Sequence, residues 1–377
     1  AGKRVLVRED LNVPLAKGAI ADDSRIKAAI PTLAQLAERK AKVIVMSHLG
    51  RPKGVDPSLS LRPVAAALSR ELGREVQFAE DCVGEIARRA VGRLKEGEVL
   101  LLENVRFHPE DEANDPEFAT RLASLGEIFV NDAFAASHRA HASVVGVAGH
   151  LPAYAGELML AELSALHKAL DDPKRPLVAV VGGAKVSTKV GVLTHLLEKV
   201  DALLIGGAMA NTFFRARGYP TGAGLVEESA LDDATKVEKK GGKKLVLPVD
   251  LVCAQRMEAG QEVKTVPANA VEPGWMALDI GPESVAEFGK HITTAKTIVW
   301  NGPMGVAEIP EFNKGTKAVG EAIARSGAYT LVGGGDTVAA IDSLGLSGFS
   351  HVSTGGGATL EYLEGKELPG VAILKDA

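Results

Sequence analysis

Short apolar runs alternate with longer amphipathic stretches along the first half of the chain. Between residues 24 and 40 the apolar side chains recur every three or four positions, which is the period of a helix. The predicted strands are 5–7, 43–46, 99–103 and 128–131, and the predicted helices are 24–40, 60–72 and 116–125. Continuously apolar strands separated by helices are typical of a parallel sheet covered on both faces. The first half is therefore predicted to be an α/β domain.

The same alternation resumes in the second half after a polar break. A helical pattern over 154–170 ends in a proline-containing segment, 171–176, and we place the domain boundary across these stretches. Beyond it the predicted strands are 177–181, 202–205, 245–247, 297–300, 331–332 and 351–353. The chain has 377 residues, and domains average roughly 150. Two α/β domains are therefore expected.

The composition excludes several classes of protein. Hydrophobic residues make up 46% and charged residues 24%, which is typical of a globular protein and excludes a disordered one. The net charge of −5 gives no basic excess for a nucleic-acid backbone, so an anionic ligand needs a local cluster of cations. No apolar run approaches the roughly 18 residues that span a bilayer. We expect neither a nucleic acid nor a membrane as a partner.

The cysteines and the first residues bear on cellular location. Cys82 and Cys253 fit neither a disulfide framework nor the spacing of a metal site, which indicates a reducing cytoplasm. Both are expected to be buried as small apolar residues. The sequence begins at Ala1 without Met and without a signal-peptide pattern, so a few residues are expected to precede it.

Glycine runs follow the apolar strands of the second half. They are 182–183, 206–207, 333–335 and 355–357, and each precedes a helical stretch. In an open α/β sheet these positions are the carboxyl ends of strands, where ligands bind. Glycine lets backbone N–H groups converge on a phosphate, and a following helix N-terminus adds partial positive charge. Tight turns alone would explain one such run, whereas four predict a nucleotide or phosphate site.

None of the familiar phosphate-binding motifs is present, because the chain lacks the P-loop, the G-x-G-x-x-G turn of dehydrogenases and the protein-kinase motifs. Lys185 and Lys189 instead follow a strand at a spacing of four, which on a starting helix directs both at one anion. The alternative is a solvated basic face. Asp336 and Thr337 place a carboxylate and a hydroxyl at the start of another predicted helix. Asp336 is a candidate Mg²⁺ ligand, and the alternative is that it is a simple N-cap. Glu308 is a candidate ribose acceptor or a surface residue.

The first half carries cationic residues at its predicted strand ends. The candidates for anion binding are Asp10, Asn12, Arg25, His48, Arg51, Arg106 and Arg139. Arginine binds carboxylate or phosphate through two parallel hydrogen bonds and keeps its charge. A structural role remains the alternative for His48. A nucleotide platform in one half and an anion receptor in the other predict phosphoryl transfer, which depends on positioning and charge neutralisation.

The order of these motifs resembles one known family. The motifs are 8–14, 47–52, 102–107, 137–141, 182–189, 300–308, 333–337 and 353–358, and together they are similar to those of the phosphoglycerate kinases. The resemblance implies an α/β fold of two Rossmann-like, doubly wound parallel-sheet domains joined by a hinge helix. Residues 1–153 would bind phosphoglycerate, 154–176 would be the hinge helix and linker, 177–367 would bind nucleotide, and 368–377 would return to the N-terminal domain.

The resemblance also assigns roles to individual residues. The implied substrate ligands are Asp10, Asn12, Arg25, His48, Leu49, Gly50, Arg51, Arg106 and Arg139. The implied nucleotide ligands are Lys189, Asn301, Glu308, Gly334, Gly335, Asp336 and Thr337, with Asp336 as the metal ligand. The groups implied to surround the transferred phosphoryl group are Arg25, Lys185, Lys189, Gly356 and Gly357. Departures from the family pattern are Ala208 and Ala277, expected in the base pocket, and Glu9 and Ala135–Ala136 beside the motifs.

The activity implied by the resemblance is reversible phosphoryl transfer in glycolysis. A kinase of this family moves the acyl phosphate of 1,3-bisphosphoglycerate to MgADP, giving 3-phosphoglycerate and MgATP, by hinge closure and charge stabilisation without a covalent intermediate. ATP or ADP and Mg²⁺ are the implied cofactors, and a cytoplasmic monomer is expected. The alternatives are a non-catalytic sensor of nucleotide or of a phosphorylated metabolite and, less favoured, a nicotinamide-dependent dehydrogenase.

Overall fold

The computed structural model describes residues 1–16 and 18–375, which form two compact units. The first unit comprises Ala1–Leu163 and the C-terminal residues from Glu367, and the second comprises Ser164–Lys366. The first division lies inside helix α5, Glu157–Leu170, and therefore within the boundary region 154–176 that the sequence suggested. Every helix among the described residues is too short or too polar to span a bilayer.

A parallel sheet of six strands forms the centre of the first unit, in the order β5-β6-β4-β1-β7-β8. The strands of this unit are β1 (Arg4–Arg8), β2 (Leu15–Ala16), β3 (Ala19–Ile20), β4 (Lys42–Met46), β5 (Val76–Ala79), β6 (Val99–Leu102), β7 (Ile128–Asn131) and β8 (Ala153–Ala155). Its helices are α1 (Ser24–Glu38), α2 (Arg62–Leu72), α3 (Gly84–Arg93), α4 (Pro116–Ala123) and the first part of α5. The pair β2–β3 forms a separate antiparallel hairpin.

Alternate residues of each central strand enter opposite cores of this unit. Val5 and Val7 of β1 pack with α1 and α2, whereas Leu6 packs with α3 and α4. Successive side chains of a strand point to opposite faces, so a sheet covered on both sides has apolar residues at every position. This explains the continuous apolar runs and confirms the prediction of a doubly covered parallel sheet.

The second unit contains another parallel sheet of six strands, in the order β11-β10-β9-β15-β16-β17. The strands of this unit are β9 (Leu177–Val181), β10 (Ala202–Ile205), β11 (Leu245–Val246), β12 (Asp250–Ala254), β13 (Lys264–Pro267), β14 (Met276–Ile280), β15 (Thr297–Asn301), β16 (Tyr329–Gly333) and β17 (His351–Val352). Its helices after α5 are α6 (Val190–Lys199), α7 (Met209–Ala216), α8 (Leu231–Gly241), α9 (Pro282–Thr294), α10 (Lys314–Arg325), α11 (Gly335–Ser343) and α12 (Gly357–Leu363).

The strand order of the second sheet locates a ligand-binding crevice. The chain winds outward from β9 through β10 to β11 and then returns to pair β15 with the other side of β9. This is the order of a Rossmann fold, in which ligands bind beyond the carboxyl ends of the two central strands. A separate antiparallel sheet, β13-β12-β14, lies outside this winding.

The predicted helix over 154–170 begins too early and is corrected by the structure. Tyr154 belongs to β8, where it pairs with Val130 at the open edge of β7. Gly156 follows without a side chain because a Cβ there would overlap the Asp132 carboxylate. The helix therefore starts only at Glu157.

The C-terminal residues of the chain pack within the first unit. The last helix, α13 (Pro369–Ala372), is held there because Gly370 donates to the Ser137 carbonyl at 2.8 Å and accepts from Asn131 Nδ2 at 2.9 Å. The Lys375 N–H donates to the Ala153 carbonyl at 3.0 Å. Of the segment 368–377 assigned to this unit by resemblance, Asp376 and Ala377 lie outside the described residues.

Candidate active site

A cavity of about 440 Å³ opens at the carboxyl ends of β9, β15 and β16 in the second unit. We call it the glycine cavity because seven of the residues that line it are glycines. Its lining residues from the sequence predictions are Lys185, Lys189, Asn301, Gly334, Gly335, Asp336, Thr337, Gly356 and Gly357. The structure thus brings together residues that are up to half the chain apart in sequence.

Glycine is required where the loops of this cavity cross. A Cβ at Gly182 would overlap the Pro303 carbonyl, so the loops after β9 and β15 approach backbone to backbone. Gly334 has a φ of +97°, and a Cβ there would lie 2.6 Å from Asn301 Nδ2. The missing side chains leave backbone N–H groups accessible to a ligand, which is the geometry that phosphate binding requires.

The two lysines reach the cavity by a different route from the one predicted. Residues 187–189 form a turn and α6 begins only at Val190, so Lys185 and Lys189 do not share a helical face. Lys185 is exposed, whereas Lys189 is half-buried and donates to Asn301 Oδ1. Burial lowers the pKa of the Lys189 ammonium, and the nearby carboxylates of Asp336 and Glu364 oppose this shift. A half-buried cation facing a cavity favours an anionic ligand.

The Asn301 and Thr337 side chains fix the strand ends around the cavity. Asn301 Nδ2 donates to the Gly333 carbonyl at 2.8 Å, which joins the ends of β15 and β16. The buried Thr337 hydroxyl accepts from the Gly302 N–H at 2.6 Å and donates to the Gly333 carbonyl at 2.8 Å. The hydroxyl proton of Thr337 is therefore used in a hydrogen bond within the protein, and Thr337 positions the loops around the cavity.

The Asp336 carboxylate provides the oxygen chemistry of a magnesium site. Asp336 is exposed in the first turn of α11, and it lines both the glycine cavity and a neighbouring cavity. No described residue donates a hydrogen bond to its carboxylate, which leaves its oxygens for a cation. Mg²⁺ is usually held by one or two carboxylates together with phosphate oxygens and water. Asp336 thus fits this ion.

The neighbouring cavity, of about 830 Å³, has a mainly apolar lining and is called the apolar cavity. Ala208 and Ala277, the two departures expected in the base pocket, line it together with the exposed Glu308. It shares Gly183 and Asp336 with the glycine cavity, so an extended ligand can occupy both. An apolar space beside a phosphate-type space suits a nucleotide, whose base is flat and weakly polar.

Backbone groups of Gly50 connect two of the predicted ligands in the first unit. The Gly50 N–H donates to Asn12 Oδ1 at 2.8 Å, and its carbonyl accepts from Arg106 Nη1 at 3.0 Å. Leu49 points its side chain into the core instead, and its carbonyl accepts from Asn104 Nδ2 at 2.8 Å. Arg51 is exposed, and among residues 1–16 and 18–375 no hydrogen bond or ion pair joins it to this group.

An ion pair joins Arg25 to Asp10 at the end of β1. The Arg25 guanidinium donates through Nη1 to Asp10 Oδ2, and its side chain remains 34% exposed while that of Asp10 is 8% exposed. The carboxylate occupies one edge of the arginine fork. The exposed remainder is available to a second anion.

His48 is a neutral hydrogen-bonding group, which its surroundings establish. Arg8 Nη2 lies 3.0 Å from His48 Nδ1, and since a guanidinium only donates, Nδ1 is the acceptor. The proton of the neutral ring is then on Nε2. Burial, and then the positive charges of Arg8, Arg106 and Arg25, lower the pKa of His48 well below its ordinary value. A neutral donor among cations suits the binding of an anion.

Arg106 and Arg139 complete the cationic cluster, which we define as Arg8, Arg25, His48, Arg106 and Arg139. Arg106 is 6% exposed, and its Nε has no hydrogen-bond partner within the described residues, although Glu112 Oε1 lies 3.4 Å away. Burial and then the charge of Arg8 lower the pKa of Arg106, with Arg139 contributing in the same direction. The half-buried Arg139 donates to His138 Nε2 at 3.2 Å.

The sequence predictions missed Arg8, which organises this cluster. Arg8 is fully buried at the last position of β1, where it also donates to the Glu9 carbonyl and to Ser143 Oγ. A charged residue that ends an otherwise apolar strand was the available signal, because a buried cation requires partners. It was read as part of a motif and not as a candidate ligand.

The family model described as Phosphoglycerate kinase matches residues 1–366 of the chain. The chain belongs to the phosphoglycerate kinase family. The phosphoglycerate kinase of Pelotomaculum thermopropionicum is 54% identical over 380 residues, covering 100% of this chain and 97% of that protein. The cytosolic phosphoglycerate kinase of Nicotiana tabacum is 52% identical over 385 residues, covering 100% and 96%. The structure of phosphoglycerate kinase from Coxiella burnetii has a TM-score of 0.92 and 45% identity, covering 99% of this chain and 96% of that one.

Membership of the phosphoglycerate kinase family establishes the reaction. The enzyme transfers a phosphoryl group between 1,3-bisphosphoglycerate and ADP, a step of glycolysis, and uses ATP or ADP with Mg²⁺. The resemblance, the fold class, the enzyme class and the cofactors predicted from the sequence are confirmed. A non-catalytic sensor and a dehydrogenase are the alternatives that this finding displaces.

Proposed function

We propose a division of labour between the sites of the two units. The glycine cavity binds the phosphates of MgADP or MgATP, with Asp336 on the Mg²⁺ side, and the apolar cavity binds base and ribose, with Glu308 near the ribose. The cationic cluster of the first unit binds 3-phosphoglycerate or 1,3-bisphosphoglycerate, with Asp10, Asn12, Gly50 and Arg51 around it.

The observation that carries the proposal is the concentration of arginines around a neutral histidine in a protein of net charge −5. Arg8, Arg25 and Arg106 all contribute positive charge at His48. Arg106 Nε is a buried donor that makes no hydrogen bond to a described residue, and its ion-pair partner Glu112 Oε1 lies 3.4 Å away. Such a donor costs about 1–3 kcal/mol unless a ligand satisfies it, and a phosphate or carboxylate supplies the missing acceptor.

The transfer itself needs no covalent intermediate on the enzyme. The bond between the acyl oxygen and phosphorus breaks while a β-phosphate oxygen of ADP forms a new bond to the same phosphorus, and no proton has to move. Negative charge spreads over the three equatorial oxygens during this exchange. Arg25, Lys185 and Lys189, with the backbone N–H groups of Gly356 and Gly357, are the groups that we assign to those oxygens.

Bending within residues 154–176 is the motion that we propose to bring the two substrates together. Closure of this kind excludes water, and fixed positive groups are worth more in a dry site. We further propose that the enzyme acts as a cytoplasmic monomer, and the cytosolic name of the tobacco relative supports the location.

Two titrations on two variants test the division of labour. We expect Arg139→Ala to weaken 3-phosphoglycerate binding at least about 10-fold, since a charge-assisted hydrogen bond contributes about 1.5–3 kcal/mol, and to leave MgADP binding unchanged. We expect Asp336→Ala to weaken MgADP binding and to leave 3-phosphoglycerate binding unchanged. Isothermal titration calorimetry on the full chain measures both, with exposed Arg89→Ala as the matched control. Loss of both ligands in one variant, or no loss in either, contradicts the assignment.

A further inference from the structure

Three metal-ligating side chains meet in the first unit at a place outside the cationic cluster. The ligand atoms of Asp81, Cys82 and His108 all lie within 4.8 Å of one another. Within the described residues, this is the one group of three or more such side chains at that spacing. Asp81 and Cys82 precede α3, whereas His108 follows a short 3-10 helix, Val105–Phe107.

We propose that Asp81, Cys82 and His108 bind a thiophilic divalent cation, with Zn²⁺ as the ion that best fits the three side chains. Thiolate, imidazole and carboxylate are the ligands of zinc in proteins, whereas Mg²⁺ prefers oxygen ligands alone. Three protein ligands with an open position for water are typical of zinc sites that are not purely structural. This proposal is independent of the ligand sites proposed above.

The burial of the three side chains suits an accessible site. The Cys82 side chain is fully buried, whereas Asp81 is 35% and His108 is 27% exposed, so two of the three ligands are open to solvent. A buried thiolate needs a counter-charge, and a divalent cation supplies one. Binding breaks the S–H bond of Cys82, forms a bond between sulfur and the metal, and releases the proton to solvent.

The protein already holds two of the ligands in place. Asp81 Oδ1 accepts from the Cys82 N–H at 2.7 Å and contacts His108 Nε2 at 2.8 Å. The second oxygen, Oδ2, has no hydrogen bond from the described residues and is available to an ion. The His108 ring packs on Phe118 with ring centres 5.2 Å apart. When an ion binds, the hydrogen bond between Asp81 and His108 would be replaced by one bond from each side chain to the ion.

The bound ion would cross-link the loop before α3 to the segment that carries Arg106. His108 follows directly after the 3-10 helix Val105–Phe107, in which Arg106 is the central residue. Folded protein binds the ion and unfolded protein binds it less, so Zn²⁺ is expected to stabilise the first unit by mass action. This gives a readout that is separate from kinase activity.

Co²⁺ titration of the chelator-treated full chain tests the site directly. We expect one equivalent of Co²⁺ to give a thiolate-to-metal charge-transfer band and strong visible bands, and Zn²⁺ to displace it. Cys82→Ser is expected to lose the charge-transfer band, and His108→Gln is expected to weaken binding at least about 10-fold. Gln can still donate to Asp81, so this second variant keeps the test valid if Cys82→Ser fails to fold.

Cys253→Ser is the matched control, because Cys253 is the other cysteine of the chain and is also buried. We expect it to keep the full Co²⁺ spectrum and the Zn²⁺-dependent rise in melting temperature. If the unmodified chain gives no stoichiometric Co²⁺ charge-transfer band, the proposal is overturned. A band that survives in both Cys82→Ser and His108→Gln, or one that disappears in Cys253→Ser, also overturns it.

Discussion

Glu9 and Asp132 form a buried carboxyl pair in the first unit, and replacing Glu9 should change the pH dependence of stability. Glu9 is fully buried directly after β1, and neither of its oxygens accepts a hydrogen bond from a described N–H or hydroxyl group. Burial and the neighbouring Asp132 raise the pKa of Glu9 well above its ordinary value. Asp132 Oδ1 accepts from the Met159 N–H at 2.9 Å, and Oδ2 accepts no hydrogen bond from a described N–H or hydroxyl group. We infer that Glu9 is protonated and donates to Asp132.

The magnitude follows from the proton that the folded pair retains. A group whose pKa is raised on folding contributes stability below its unfolded pKa, and this stability is lost as the pH rises towards the folded pKa. Glu9 begins to lose its proton in the unfolded chain near its ordinary value of 4.5. Above that pH the free energy of unfolding falls by about 1.4 kcal/mol per pH unit until the folded pair titrates. Glu9→Gln keeps a donor towards Asp132 and removes this slope.

Thermal unfolding followed by far-UV circular dichroism measures the difference between about pH 5 and 8. Each kcal/mol shifts the melting temperature of a domain of this size by about 2–4 °C. Both tryptophans, Trp275 and Trp300, lie in the second unit. The unfolding transition followed by their fluorescence is therefore an internal control, and we expect Glu9→Gln to leave its pH dependence unchanged. Exposed Glu110→Gln is the control substitution. Parallel pH profiles for the unmodified chain and Glu9→Gln would refute the shared proton.

Two further outcomes concern the second unit. Burial raises the pKa of Asp279 to about 7, so its contribution to stability is lost as the pH rises from about 4 to 7. Across this range the free energy of unfolding should fall by on the order of 4 kcal/mol, and Asp279→Asn should remove this pH dependence. Urea unfolding followed by tryptophan fluorescence measures this slope, and an unchanged slope in the variant contradicts it. Lys185→Ala should lower kcat at least about 10-fold with little change in the KM for MgADP, whereas exposed Lys236→Ala should leave both unchanged. An altered KM with normal kcat would place Lys185 in nucleotide binding alone.

The sequence was sufficient for the central strands but not for the elements at the periphery. Strands buried on both faces are apolar at every position, which makes β1, β9 and β15 visible as runs. The structure adds β5 and α3, which the predictions omitted. Helix α3 buries only Ala87 and Val91, so its apolar stripe is narrow and the rest of the helix is polar. The predictions also omitted the antiparallel sheet β13-β12-β14, because β13 is at most half-buried and so lacks a continuous apolar run.

The candidate site was predictable where a residue follows a strand, and not where tertiary contacts decide. Asp336 and Asn301 follow apolar strands, and the parallel sheet brings those ends together. The helical spacing of Lys185 and Lys189 was the wrong reason for their proximity, because the turn before α6 carries both to the cavity. Cys82 and His108 are far apart in sequence, so the spacing alone excluded a metal site that the fold makes possible.

The cationic cluster of the first unit is proposed above to serve the phosphoryl transfer that the family catalyses. A coupled assay of ATP formation from ADP and 1,3-bisphosphoglycerate on Arg25→Ala tests it most directly, with Arg89→Ala as the control. We expect a fall in kcat of at least about 10²-fold, with nearly unchanged MgADP affinity. Turnover within about 2-fold of the unmodified enzyme would contradict the claim.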